Sequence, residues 1–224
     1  MNITLRRKIG LAAAVAAISS SLALPASGQP GAASDPVDLN QRLKEVQDNP
    51  ARLQAMYKVG RSVASFCANC HGDGGNSVKT DVPNLAGQHP SYLLQQLREF
   101  STSERKSSEF KQRLVNVMSA DEKIGMVVFY AAQEVTHKPP SDPAMLKRGA
   151  QLYAQKCVDC HERDGRGTSE YSRVAGQQTV YLSQALKGYR DGTGRRLDKD
   201  MVKEVKPLTD ADIAALVSYV SSMK

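Results

Sequence analysis

The run Cys67-Ala68-Asn69-Cys70-His71 (CANCH) recurs as Cys157-Val158-Asp159-Cys160-His161 (CVDCH), and these two pentapeptides hold all four cysteines of a 224-residue chain. Two thiols three positions apart, followed at once by a histidine, admit few chemistries. A disulfide between such near neighbours closes too short a loop to restrain the unfolded chain, and it leaves the histidine unexplained. Zinc would need both pairs brought together, yet 86 residues separate Cys70 from Cys157, far beyond zinc-ribbon spacing. A dithiol redox pair belongs to a βαβ context, and no sustained alternating stretch argues for strands. Covalent haem attachment accounts for every position. Cys67 and Cys70 would form thioethers to the vinyl groups of one porphyrin and Cys157 and Cys160 to those of another, with His71 and His161 as proximal iron ligands.

The start of the chain says where such thiols live. Arg6, Arg7 and Lys8 precede an apolar run from Ile9 to Leu24, and Ala26-Ser27-Gly28 suits a signal peptidase. Residues 1–28 therefore read as a cleaved secretory signal, because the apolar run is shorter than the roughly 18 to 20 residues a membrane span needs. The expected product is periplasmic. The formal charge of +7 falls to +4 without the three basic residues of the signal, leaving 27 basic against 23 acidic residues. Divided after Lys138, the remainder carries 13 basic and 12 acidic residues before the cut and 14 and 11 after it. Neither half has the basic excess of a nucleic-acid binder.

Internal repetition settles the domain count. Cys67 and Cys157 are 90 positions apart; Ala86-Gly87-Gln88 returns 89 positions later as Ala175-Gly176-Gln177, Tyr92-Leu93 as Tyr181-Leu182, and Leu97 as Leu186. Motifs in one order at a near-constant offset mark a duplicated unit. Val135 to Pro143, with three prolines, reads as the linker between copies. The chain thus divides into an N-terminal extension over 29–51, with one helix expected from Asp38 to Asp48, a first domain over 52–138 and a second over 139–224. Each domain reads as all-α. Ser119 and Glu122 form a capping box ahead of Ile124, Val127, Val128 and Ala131, and Thr209 and Asp212 stand likewise ahead of Ile213, Leu216, Val217 and Val220. Ser141-Asp142-Pro143 signals another helix start. Units this small, with 5% aromatic residues and no Trp, have little core of their own, so a large apolar cofactor is expected to fill the interior.

CANCHGDGGNS at 67–77, PNLAGQHPSYLLQQLREF at 83–100 and a second CxxCH unit with AGQ and YL resemble the dihaem cytochromes c4, over about residues 52–224. That resemblance implies two tandem class I cytochrome c domains, each wrapped around a covalently bound haem c. It further implies a monomeric periplasmic carrier that passes single electrons from a redox donor to a terminal oxidase or reductase, with peripheral association to membrane complexes. In this family a methionine seven residues before the leucine that opens the closing helix is the second axial ligand. Met201, seven residues before Leu208, matches it.

The first domain departs from the pattern. Met118 holds the helix-opening place, so the ligand place holds Lys111; His71 to Lys111 and His161 to Met201 are both 40 positions. Three ligations are open: the Lys111 amine, Met118 after a loop shift, or neither. The resemblance also implies that the Pro83 carbonyl orients the first proximal histidine, whereas the second domain has Arg173-Val174 near that place. The missing methionine keeps an enzyme reading alive, a dihaem peroxidase or thiosulfate-type dehydrogenase with the first haem as its centre. An electron-accepting subunit of a dehydrogenase complex is a further reading. Tyr92 and Tyr181 open equivalent helices and are expected to pack beside the haems or simply in the core, and Arg195, Arg196, Lys199, Lys203 and Lys206 to form a solvated face rather than a docking patch near the second haem edge.

Overall fold

The computed structural model describes residues 38–196 and 198–224; the segment read as a signal and the extension up to residue 37 lie outside the described residues. The helices are α1 (Leu39–Gln47), α2 (Pro50–His71), α3 (Pro90–Ser101), α4 (Glu109–Val117), α5 (Ala120–Ala131), α6 (Leu146–Lys156), α7 (Val158–His161), α8 (Thr179–Asp191), α9 (Lys199–Val205) and α10 (Asp210–Ser222). No strand occurs among the described residues, and none of their helices is long and apolar enough to cross a membrane. The two halves repeat one order: α2, α3, α4 and α5 correspond to α6 with α7, α8, α9 and α10.

Local chemistry starts these helices where the sequence signals them. Ser119 accepts from the Glu122 backbone N–H while Glu122 accepts from that of Ser119, and Thr209 and Asp212 do the same, so both expected capping boxes form. Asp38 accepts from the N–H groups of Asn40 and Gln41 to open α1. The closing helices are the most buried elements. Ile124, Val127 and Tyr130 of α5 are wholly enclosed, as are Ile213 and Leu216 of α10 but for 1–2% of their surface.

In each half the closing helix crosses the opening helix, and glycine lets their backbones touch. A β-carbon on Gly60 of α2 would lie 1.9 Å from the Gly125 carbonyl oxygen, and one on Gly149 of α6 would lie 2.2 Å from that of Ala215. The same crossing device is therefore present twice.

The expected Asp38–Asp48 helix forms, but it belongs to the first domain. Leu43 and Val46 enter the same core as Leu93, Leu97 and Ile124, and Arg42 pairs with Asp121 at the head of α5. Because α2 opens at Pro50, on an Asn49 cap, the boundary drawn between residues 51 and 52 falls inside a helix.

The repeated Ala-Gly-Gln motif joins the halves. Gln88 donates from Nε2 to the Arg173 carbonyl (3.0 Å) and accepts at Oε1 from the Arg173 N–H (2.7 Å). Gln177 does the same to Asn84, at 3.1 and 2.6 Å. Asn84 stands two residues before Ala86 and Arg173 two before Ala175, so each glutamine grips the equivalent peptide of the other copy. This reciprocity is that of an approximate two-fold axis. Gln178 to the Ser77 carbonyl (2.6 Å), the Tyr181 N–H to the Thr80 carbonyl (2.9 Å) and His89 Nε2 to the Arg166 carbonyl (2.8 Å) extend the junction.

Candidate haem sites

His71 ends α2, and the chain leaves through Gly72 at φ 75° and ψ 164°. A β-carbon there would meet the Asn76 carbonyl oxygen at 2.1 Å, so the exit is built for glycine. In the second half Glu162 takes that conformation (φ 64°, ψ 164°) after His161, a region of backbone space that side chains strain to adopt. Each imidazole is then fixed by one carbonyl. His71 Nδ1 lies 2.8 Å from the Pro83 oxygen and His161 Nδ1 2.8 Å from that of Ser172. A carbonyl can only accept, so Nδ1 carries the proton and Nε2 keeps the lone pair that a metal requires. Burial also pushes both imidazoles below their ordinary pKa, which keeps them neutral. The proline carbonyl is the one expected. Its counterpart in the second half is supplied by Ser172, one residue ahead of the Arg173-Val174 pair.

Cys67 and Cys157 pack against the two apolar cores, Cys70 is exposed, and none of the four is in a disulfide. Burial raises the Cys67 thiol and pushes Cys157 up to about 12, so neither is poised as a thiolate redox centre. Cys157, His161 and Met201 line one cavity together with Leu182, Leu186, Val205 and Leu216. The sequence-assigned donors of the second half therefore converge on a single, mostly apolar space.

Met201 is the third residue of α9, whose cap Asp198 accepts from its N–H at 2.9 Å. Lys111 is the third residue of α4, whose cap Ser108 accepts from its N–H at 3.3 Å. The Lys111 Nζ lies 5.0 Å from the centre of the Phe100 ring, and its charge reaches His71 and both cysteines of the first motif. Met118 instead caps the end of α4 and packs against the first core; Leu208 lies in the second core.

One cluster went unrecognised in the sequence. Arg196 donates to Tyr181 Oη at 3.1 Å, to Gln96 Oε1 at 3.3 Å and to Tyr92 Oη, bringing both halves onto one guanidinium. Arg105 donates to the same Gln96 and stacks 4.6 Å over Phe100, while its buried Nε has no partner. The solvated face expected to include Arg196 is thus corrected, and the Tyr92 and Tyr181 hydroxyls are drawn to that arginine at the junction. Two neighbouring cations with phenols, an amide and an orphan donor around them call for a carboxylate. The propionates of a haem are carboxylates of that kind, so these residues fit the group that the CxxCH motifs attach. No signal short of the tertiary pairing reveals Arg105. His89 and His137 do not line the second-half cavity and are held to the carbonyls of Arg166 and Met223.

Two all-α units in pseudo-symmetric contact, each with a CxxCH helix end and a carbonyl-held histidine, define a two-domain c-type cytochrome of class I. The Cytochrome c family model matches residues 57–130 and 146–224. Cytochrome c4 of Pseudomonas aeruginosa is 30% identical over 178 residues, covering 74% of this chain and 87% of its own. The thiosulfate dehydrogenase electron acceptor of Stutzerimonas stutzeri is 27% identical over 201 residues, covering 81% and 90%. Among solved structures, reduced recombinant cytochrome c4 from Pseudomonas stutzeri has a TM-score of 0.67 at 26% identity, over 75% of this chain and 98% of its own. The chain belongs to the dihaem cytochrome c4 family. It is a dihaem electron-transfer cytochrome with two covalently bound haem c groups.

Proposed function

We propose that this protein is a periplasmic carrier of single electrons rather than an enzyme, with Cys67 and Cys70 holding the first haem and Cys157 and Cys160 the second. His71 and His161 are the proximal ligands, and Met201 is the sixth ligand of the second iron. The observation that carries this reading is the convergence of Cys157, His161 and Met201 on one cavity walled by leucine and valine. With His161 and Met201 both available to the second iron, no position there would be left for a substrate. Each haem, when bound, supplies a ferric/ferrous couple. The chain's own part is to hold neutral imidazoles through the Pro83 and Ser172 carbonyls and to keep water from the second pocket. Arg105 and Arg196 would hold the propionates at the junction, where their positive charge would favour the less positive ferrous state.

The likeness to thiosulfate dehydrogenase electron acceptors supports a dehydrogenase as the donor, with a terminal oxidase or reductase as acceptor. The test is made on protein exported by a host that matures c-type cytochromes. Two haems per chain, reversible one-electron steps and no peroxide or thiosulfate turnover are expected. Reduction by thiosulfate only when its dehydrogenase is added would assign the donor; turnover by the cytochrome alone would overturn the carrier reading.

A further inference from the structure

Resting on that reading of Cys67, Cys70 and His71 as the first haem site, we propose that Lys111 supplies the sixth donor to the first iron, so that a His/Lys centre stands beside a His/Met centre. Three observations carry this. Lys111 and Met201 hold the same place, third in a short helix capped by a side-chain oxygen, in helices that pack on the equivalent α3 and α8. The Lys111 side chain lies over Phe100, its Nζ 5.0 Å from the ring centre, and Phe100 packs with Cys67 on the first core. The alternatives are engaged elsewhere. Met118 fills the place of the core residue Leu208, and bringing its sulfur to the iron would pull it from that core and disturb the capping box that begins at the next residue, Ser119. Met126 is 5% exposed in the closing helix, and the backbone of Met56 lies against Gly125 at the helix crossing.

The ligation balances simply. The ammonium gives its proton to water, and the freed nitrogen lone pair forms the bond to iron; no electron changes hands. A nitrogen donor favours ferric iron where a thioether favours ferrous. The first haem therefore takes the lower potential, the electron rests on the second, and transfer across the Gln88–Gln177 junction acquires a direction.

Low-temperature EPR and near-infrared magnetic circular dichroism of the oxidised, fully loaded protein test this. One methionine-to-iron charge-transfer band and one all-nitrogen low-spin haem are expected. Lys111→Met should double the methionine band and raise the first potential, and Met118→Leu should leave both spectra unchanged. Two methionine bands in the wild type, with one lost in Met118→Leu, overturn the proposal, as does a high-spin first haem. The wild-type and Met118→Leu spectra decide the matter even if Lys111→Met matures poorly. A haem count below two in the same sample would fault the underlying reading instead.

Discussion

Glu162 shows how far one residue can depart from its repeat. In the first half the turn after the haem-motif histidine is a glycine; in the second an exposed glutamate adopts the same left-handed, extended backbone. Such a conformation costs a non-glycine residue on the order of 1–3 kcal/mol, partly offset because glycine leaves a freer unfolded chain. Glu162→Gly is expected to stabilise the protein by about 1 kcal/mol in denaturant unfolding. The Tyr153 hydroxyl bond to residue 162 would persist, since it uses the backbone carbonyl (2.7 Å). At this scale the sequence was informative about covalent chemistry: the cysteines and histidines declare themselves by spacing. It was silent on Ser172, because a backbone carbonyl leaves no mark on the residue that presents it.

Helices carry the next level of reasoning. The capping boxes at Ser119 and Thr209, and the apolar spacing behind them, are local properties, so they were legible before any contact was known. What those helices press against was not. Gly60 and Gly149 are ordinary helix-interior glycines in sequence, where glycine is mildly unfavourable, yet each permits a backbone crossing that no side chain fits. Gly149→Val should force α6 from α10 at a cost of about 3 kcal/mol or more. Circular dichroism on heating would record the lower transition, and the fraction of chains carrying two haems should fall with it.

At the scale of the molecule, the duplicated halves meet through two glutamines that satisfy each other's backbone. Gln177→Ala leaves the buried Asn84 N–H without its acceptor and the Asn84 carbonyl without that donor, at about 1–3 kcal/mol for each buried group left unpaired. Calorimetry is expected to show one transition for the wild type and two for the variant, as the halves lose their coupling. Arg196 joins the same junction from the other side. Arg196→Gln removes a positive charge that bonds residues of both halves, which should favour ferric iron at each haem. Spectroelectrochemical titration should find both potentials lowered, although the substitution lies in one domain; a shift confined to the second haem would place the arginine outside the shared cluster.

The sequence by itself determined that this is a duplicated, all-α chain with two covalent haem motifs, since spacing, periodicity and repetition are written along one dimension. It also exposed Lys111 as the exception in an otherwise matching register. Only the tertiary structure decided that α1 belongs to the first core and that Arg105 and Arg196 come together on Gln96. Those facts depend on residues about 80 to 100 positions apart becoming neighbours. Burial, unpaired charge and a shared cavity exist only once the chain has closed on itself.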